Sequence, residues 1–123
     1  MKKNKKILII EDDSFTIKLY THLLSDAGFD IVSTPTAKDV ISLAKREKPN
    51  LIIVDLMLVD GNGFEVIKNI RATAQLKKIP IITLSNLGQE TDISEAIHKG
   101  SNKYFVKSNT RFEEVIEAVK ELI

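Results

Sequence analysis

Three carboxylates stand in a row at the end of an aliphatic run. Ile7, Leu8, Ile9 and Ile10 lead directly into Glu11, Asp12 and Asp13. Neighbouring acids repel one another and resist desolvation, so a hard cation is the simplest reason to gather them there. Other apolar runs also end on chemically capable residues: Asp55 after 51–54 (LIIV), Ser85 after 79–84 (IPIITL), and Lys107 after 104–106 (YFV). Mg2+ suits such acids, because it takes a few carboxylate oxygens and keeps several waters. It also neutralises charge on phosphoryl oxygens. Asp55 is then placed to act as a carboxylate nucleophile that forms an acyl phosphate. Ser85 and Lys107 would supply the donor and the cation that phosphoryl transfer needs. Taken singly, each residue has an ordinary explanation: a strand-end aspartate accepting turn amides, a loop hydroxyl, a solvated lysine. The case rests on the set.

Positioning that set at one edge requires strands that end together. The apolar runs at 7–10, 29–32, 51–54, 79–84 and 104–106 alternate with stretches of helical spacing. Phe15, Leu19, Leu23 and Ala27 recur every four residues, with Tyr20 and Leu24 beside them. Further stripes are Val40, Ile41 and Ala44; Phe64, Ile67, Ile70 and Ala74; Ile93, Ala96 and Ile97; and Phe112, Val115, Ile116, Val119 and Leu122. Gly28 and Gly100 stand where helix C-termini want a left-handed residue, and Thr36 and Thr110 are candidate N-caps. Five strand–helix units predict an α/β fold, a parallel sheet with helices on both faces. Ligands bind such sheets beyond the carboxyl ends of the strands, where the reactive residues fall.

The bulk numbers agree with one soluble domain spanning 1–123. The chain is 43% hydrophobic and 28% charged, with net charge +1, so no global field points to nucleic acid or membrane. The basic start (Lys2, Lys3, Lys5, Lys6) reads as a solvated terminus. The absence of cysteine excludes thiol chemistry and agrees with a cytoplasmic protein. His22 and His98 each stand without a second ligand at metal-binding spacing.

Four motifs, IIEDDS, LIIVDLMLVDGNGFEVIKNIR, IPIITLS and NKYFVKS, follow in order along the chain. Together they resemble the receiver domain of two-component response regulators, over essentially the whole length. The resemblance implies a flavodoxin-like doubly wound (βα)5 fold with sheet order 2-1-3-4-5. It makes Asp55 the phosphoacceptor, with Ser85 and Lys107 on the phosphoryl group. It makes Asp12 a direct Mg2+ ligand, Glu11 a ligand through water, and Met57 a ligand through its backbone carbonyl, with Mn2+ able to substitute. Tyr104 matches the aromatic that changes rotamer with Ser85, and Asp13 falls outside the acidic pair as helix-cap support. A histidine kinase or histidine phosphotransfer protein would be the donor. Output would pass to a target protein through the fourth helix, fifth strand and fifth helix, about Lys99, Tyr104 and Phe112, since no effector segment follows the fifth stripe.

Three positions depart from the family pattern. Val59 replaces a common proline and loosens the turn into DGNG. Asn86 stands where a small side chain is usual and is expected to modulate access to Asp55. Ser108 replaces the proline after the lysine, which predicts a trans Lys107–Ser108 peptide, because a non-proline cis bond costs about 2.5–4 kcal/mol. Lys103 stands where DNA-binding members carry an acid used in dimer contacts, so a monomer or a differently built dimer is expected. Two rivals fail on the residues: a flavin phosphate would be repelled by EDDS, and a haloacid-dehalogenase-type phosphatase separates its paired aspartates by one residue. A phosphorylation-independent binding module on the same fold is the surviving alternative.

Overall fold

The structure is a computed structural model and describes residues 4–123, so Lys2 and Lys3 of the basic start lie outside the described residues. Five parallel strands form one sheet: β1 (Lys6–Ile10), β2 (Asp30–Thr34), β3 (Leu51–Val54), β4 (Ile81–Ser85) and β5 (Lys103–Val106). Their spatial order is β2-β1-β3-β4-β5, the doubly wound order expected. Between them run α1 (Ser14–Asp26), α2 (Val40–Glu47), α3 (Gly63–Ala72) and α4 (Glu90–Lys99), and α5 (Phe112–Leu122) follows the last strand.

Strand alternation sends successive side chains to opposite faces, and that builds two cores. Leu8, Ile10, Ile52, Val54 and Ile81 face α2, α3 and α4, meeting Val40, Ala44, Val66, Ile67, Ile70 and Ala96. Ile7, Ile9, Leu51, Ile53, Ile82 and Leu84 face α1 and α5, meeting Tyr20, Leu24, Val115, Ala118 and Val119. The central strands are therefore apolar on both sides, which is why they read as unbroken aliphatic runs.

Several local expectations are corrected. In α1 the buried residues are Tyr20 and Leu24, while Phe15 is 72% exposed; the four-residue repeat drifts off the core line, because 3.6 residues make a turn. Ala74 lies beyond the end of α3 and is exposed, and Ile97 faces solvent from α4. Thr110 does not cap α5, whose N-cap is Arg111; its hydroxyl instead donates to the Val106 carbonyl at 2.7 Å. Thr36 precedes a 3-10 turn, Ala37–Asp39, and its hydroxyl bonds Asp39 at 2.6 Å rather than a backbone amide. Gly28 and Gly100 do take positive φ, 99° and 127°. Lys48 closes α2 in the left-handed region at φ 51°, an unforeseen position for a residue with a side chain.

Candidate active site

β1, β3, β4 and β5 end at the same edge, and each delivers one chemically capable side chain there. Glu11 follows β1 and is 2% exposed; Asp55 follows β3 and is 6% exposed. Ser85 ends β4, fully buried, and Lys107 follows β5. Lys107 Nζ donates to Asp55 Oδ2 at 2.9 Å and makes a close ion pair with Glu11 Oε1. Residues 96 and 52 positions apart in sequence are thus joined by one ammonium. The Lys107–Ser108 peptide is trans, as expected, and the lysine still reaches the carboxylate.

Backbone amides fix the acids. Glu11 Oε2 accepts from the N–H groups of Asp12 at 3.1 Å and Asp13 at 3.3 Å, which turns its other oxygen toward Lys107. Asp55 Oδ1 accepts from the Met57 N–H at 3.2 Å. Asp13 turns away: it is the N-cap of α1, accepting from Thr16 N at 3.1 Å, the role expected of it. Gly63 sits directly behind the nucleophile. A Cβ there would lie 2.4 Å from the Asp55 carbonyl oxygen and 2.8 Å from Leu56 Cα, so only glycine lets α3 start this close to the end of β3.

The electrostatics follow from burial and crowding. Burial raises the Glu11 carboxyl to about 7, with Asp55 adding to the rise and Lys107 opposing it. Burial pushes Asp55 upward too, but hydrogen bonds from Glu11, Lys107, the Met57 amide and Ser85 outweigh it and hold that carboxyl below its usual range. For Lys107, burial works downward and is overcome by hydrogen bonds to Glu11 and Asp55, which raise the ammonium. Of Glu11 and Asp55, Asp55 is accordingly the stronger acid.

Carboxylate oxygens of Glu11, Asp12 and Asp55 lie within 4.8 Å of one another. Three carboxylates against one ammonium leave excess negative charge, and all-oxygen donors are what Mg2+ and Mn2+ take. The donor set therefore fits such an ion. The open mouth above it, a cleft of about 370 Å3, is lined by Asp12, Asp13, Met57, Val59, Asn86 and Lys107 among others. Met57 and Val59 expose large apolar side chains on this rim, and Asn86 is exposed beside them.

Tyr104 lies one strand over. Its ring packs, partly buried, against the core on the α2, α3 and α4 side, and its hydroxyl donates to the Leu87 carbonyl at 2.5 Å. The Leu87 N–H in turn donates to Ser85 Oγ at 3.4 Å. The backbone of one residue in the β4–α4 loop thus links Ser85 to Tyr104. Sequence reasoning placed Ser85 and Tyr104 but missed Leu87, because a backbone relay leaves no residue-type signal. It also missed the two-residue ladder pairing Met57–Leu58 with Gly61–Asn62, which shapes the loop beyond Asp55.

Comparison with known proteins agrees with this geometry. A family model described as the response regulator receiver domain matches residues 7–120. The polar-differentiation response regulator DivK of Brucella anthropi is 27% identical over 116 residues, covering 94% of each chain. The BeF3-activated N-terminal receiver domain of Klebsiella pneumoniae RstA superposes with a TM-score of 0.89 at 24% identity, covering 95% of this chain and 97% of that one. The Mn(2+)-bound form of response regulator Rcp1 superposes with a TM-score of 0.80 at 24% identity, covering 96% and 91%. With its doubly wound sheet, its acids at one strand edge and its match along nearly the whole length, this chain belongs to the response regulator receiver domain family of two-component systems.

Proposed function

We propose that Asp55 is the phosphoacceptor of a Mg2+-dependent signalling switch. The observation that carries this reading is a buried Asp55 held between Lys107 and the Met57 amide, with oxygens of Glu11 and Asp12 close by. Glu11, Asp12, Asp55 and the Met57 carbonyl would hold the ion. Mn2+ would serve in its place, as the Mn(2+)-bound relative suggests. Bound there, the cation neutralises charge on the phosphoryl oxygens.

The chain's own residues do the rest. An Asp55 carboxylate oxygen attacks phosphorus of a phosphohistidine on the donor kinase or phosphotransfer protein. The new O–P bond forms as the P–N bond breaks, and its electron pair leaves on the imidazole. Lys107, already on Asp55, follows the charge onto the phosphoryl oxygens, and Ser85 donates its hydroxyl to another. Asn86, at the mouth, lies where water must approach to hydrolyse the product. The chain is thus an enzyme only toward its own aspartyl phosphate.

Output follows from the Ser85–Leu87–Tyr104 relay. A Ser85 hydroxyl drawn to a phosphoryl oxygen weakens its 3.4 Å bond to the Leu87 amide, and Leu87 carries the Tyr104 partner. The surface that changes is the face of α4, β5 and α5, where Ile97 and Phe112 are exposed for a target protein. Cytoplasmic signalling is consistent with the absence, among the described residues, of any helix long and apolar enough to cross a membrane.

The test is incubation with a small phosphodonor, with and without Mg2+, followed by intact-mass measurement. One added phosphoryl group is expected, lost in Asp55→Ala and in excess chelator. Modification that persists in either sinks the proposal, and a wild type that takes up no phosphoryl group makes the phosphorylation-independent binding module the better reading.

A further inference from the structure

The geometry points to Asp60 as a positioning residue that holds the metal-facing loop in register. That loop, residues 56–62, runs from the nucleophile's neighbour to the N-cap of α3. It contains Met57 and an exposed Val59, with no proline to fix its turn. Within it the only regular pairing is the short ladder of Met57–Leu58 with Gly61–Asn62. Asp60 sits at the tip of that ladder and reaches out of it. Oδ1 accepts from the Ala37 N–H at 2.7 Å, and Oδ2 accepts from the Lys38 N–H at 3.1 Å. Both amides belong to the 3-10 turn that opens α2, where the first N–H groups have no partner within the turn. Thr36, the residue at that cap, does not serve them, because its hydroxyl is taken by Asp39. Packing supports the same join, since a Cβ added at Gly61 would stand 3.4 Å from the Ala37 methyl.

A carboxylate gripping two amides at once resists rotation as well as separation. The tether spans 23 residues and anchors the loop tip to an element packed on the core through Val40 and Ala44. The base of the loop is fixed by the Gly63 N–H on the Leu56 carbonyl at 2.9 Å. Met57, between base and tip, is thereby held from both ends beside Asp55. Stiffness that a proline would supply at position 59 comes instead from a side-chain strap at position 60.

The inference rests on the reading of Asp55 as a metal-dependent site, and the experiment separates the two. Mg2+ affinity is measured by isothermal titration for wild type, Asp60→Ala and Asp60→Asn, with amide exchange followed without metal. In Asp60→Ala, exchange at Ala37 and Lys38 should quicken about tenfold as their acceptor is lost. Mg2+ binding should weaken about three- to tenfold, below the loss typical of groups that bond a ligand directly. Asp60→Asn removes the charge but keeps one acceptor, so it should retain most of the affinity. Mg2+ affinity within about twofold of wild type in Asp60→Ala would overturn the inference. So would equal losses in both variants, which would make Asp60 a distant charge rather than a strap. A wild type that binds no Mg2+ would overturn the metal reading first and this inference with it.

Discussion

Arg71 offers a severe test of what holds the molecule together away from the site. It lies near the end of α3, and its guanidinium spends every N–H position on the far edge of the sheet. Nε and Nη2 donate to the Gly100 carbonyl at 3.1 and 2.8 Å, and Nη1 donates to Lys77 at 3.0 Å and Ile79 at 2.7 Å. Nη2 also donates to Asn102 Oδ1 at 3.0 Å, which itself accepts the Ile81 amide at 2.8 Å. One side chain thus ties α3 to the end of α4 and to the starts of β4 and β5. In Arg71→Met the exposed Lys77 carbonyl regains water. The part-buried Gly100 and Ile79 carbonyls do not, and each of these two acceptors left without its charged donor costs about 1.5 kcal/mol, the low end of the range for bonds to charged groups. The predicted loss is therefore about 3 kcal/mol. That is a large share of the 5–15 kcal/mol usual for a domain, yet short of unfolding it. For a chain of this length it corresponds to a fall in Tm of roughly 10 °C. Urea denaturation at constant m-value measures it. Arg71→Lys should recover less than half, because a single ammonium cannot span three carbonyls. Phosphorylation at 25 °C should be unchanged, since no contact of Arg71 reaches the acidic edge. A loss below about 1 kcal/mol would show that these bonds merely replace water and refute the reasoning.

Other predictions bear on the site and the switch. Asp12→Ala should weaken Mg2+ binding more than Asp13→Ala, which should instead lower Tm by a few degrees through loss of the α1 cap; equal metal losses would mean the acidic register is wrong. Gly63→Ala should impair folding and phosphorylation together, because its Cβ lands 2.4 Å from the Asp55 carbonyl oxygen; a fully active, stable variant would contradict the close approach. Asn86→Ala should dephosphorylate faster if the amide crowds the attacking water, and a slower variant, measured as phosphoryl half-life, would show that Asn86 assists hydrolysis. Burial pushes the Tyr104 phenol up to about 12 and raises Tyr20 as well. Their contribution to stability is complete below the usual value near 10 and is lost as pH rises through the folded values. Absorbance at 295 nm should show less than half of the tyrosine ionised at pH 10 in the folded chain, and half-titration there would refute it.

The sequence announced its strands more clearly than its helices, and the reason is physical. Ile7 to Ile10 of β1 and all of β3 are buried on both faces, so each of these residues must be apolar and the run ends sharply where the chain meets solvent. That sharp end is also why Glu11, Asp55, Ser85 and Lys107 stood out: a reactive residue abutting an aliphatic run marks the functional edge of the sheet. Helix faces were less legible. Phe15 and Ile97 match helical spacing yet face solvent, since spacing reveals a stripe but not which side of it meets the sheet. Caps failed where side chains had a nearer partner, as Thr36 has in Asp39 and Thr110 in Val106. Asp60 was invisible for a related reason. Its partners are two backbone amides 23 and 22 residues away, and an aspartate in a turn looks the same whether it serves its own loop or another element.

The two ends of α4 differ in what holds them, and that difference gives the proposed switch its direction. At the C-terminal end Gly100 is bound by Arg71, and Ser101 is locked in a buried hydroxyl pair with Thr83 at 2.8 Å. At the N-terminal end the Gln89 cap makes no side-chain bond, and the preceding loop hangs on Leu87. A weak 3.4 Å hydrogen bond to Ser85 and a short one from Tyr104 tie its backbone to side chains of the sheet, beside the packing of Leu87 on the core. Local openings concentrate where such ties are few. A pull on Ser85 should therefore swing the start of α4 about its fixed end, shifting the Leu87 carbonyl that Tyr104 holds. Tyr104→Phe tests this: amide exchange through residues 86–90 should quicken while that of 99–103 stays as it was. Equal acceleration at both ends would show that α4 moves as one body and that Arg71 is no pivot.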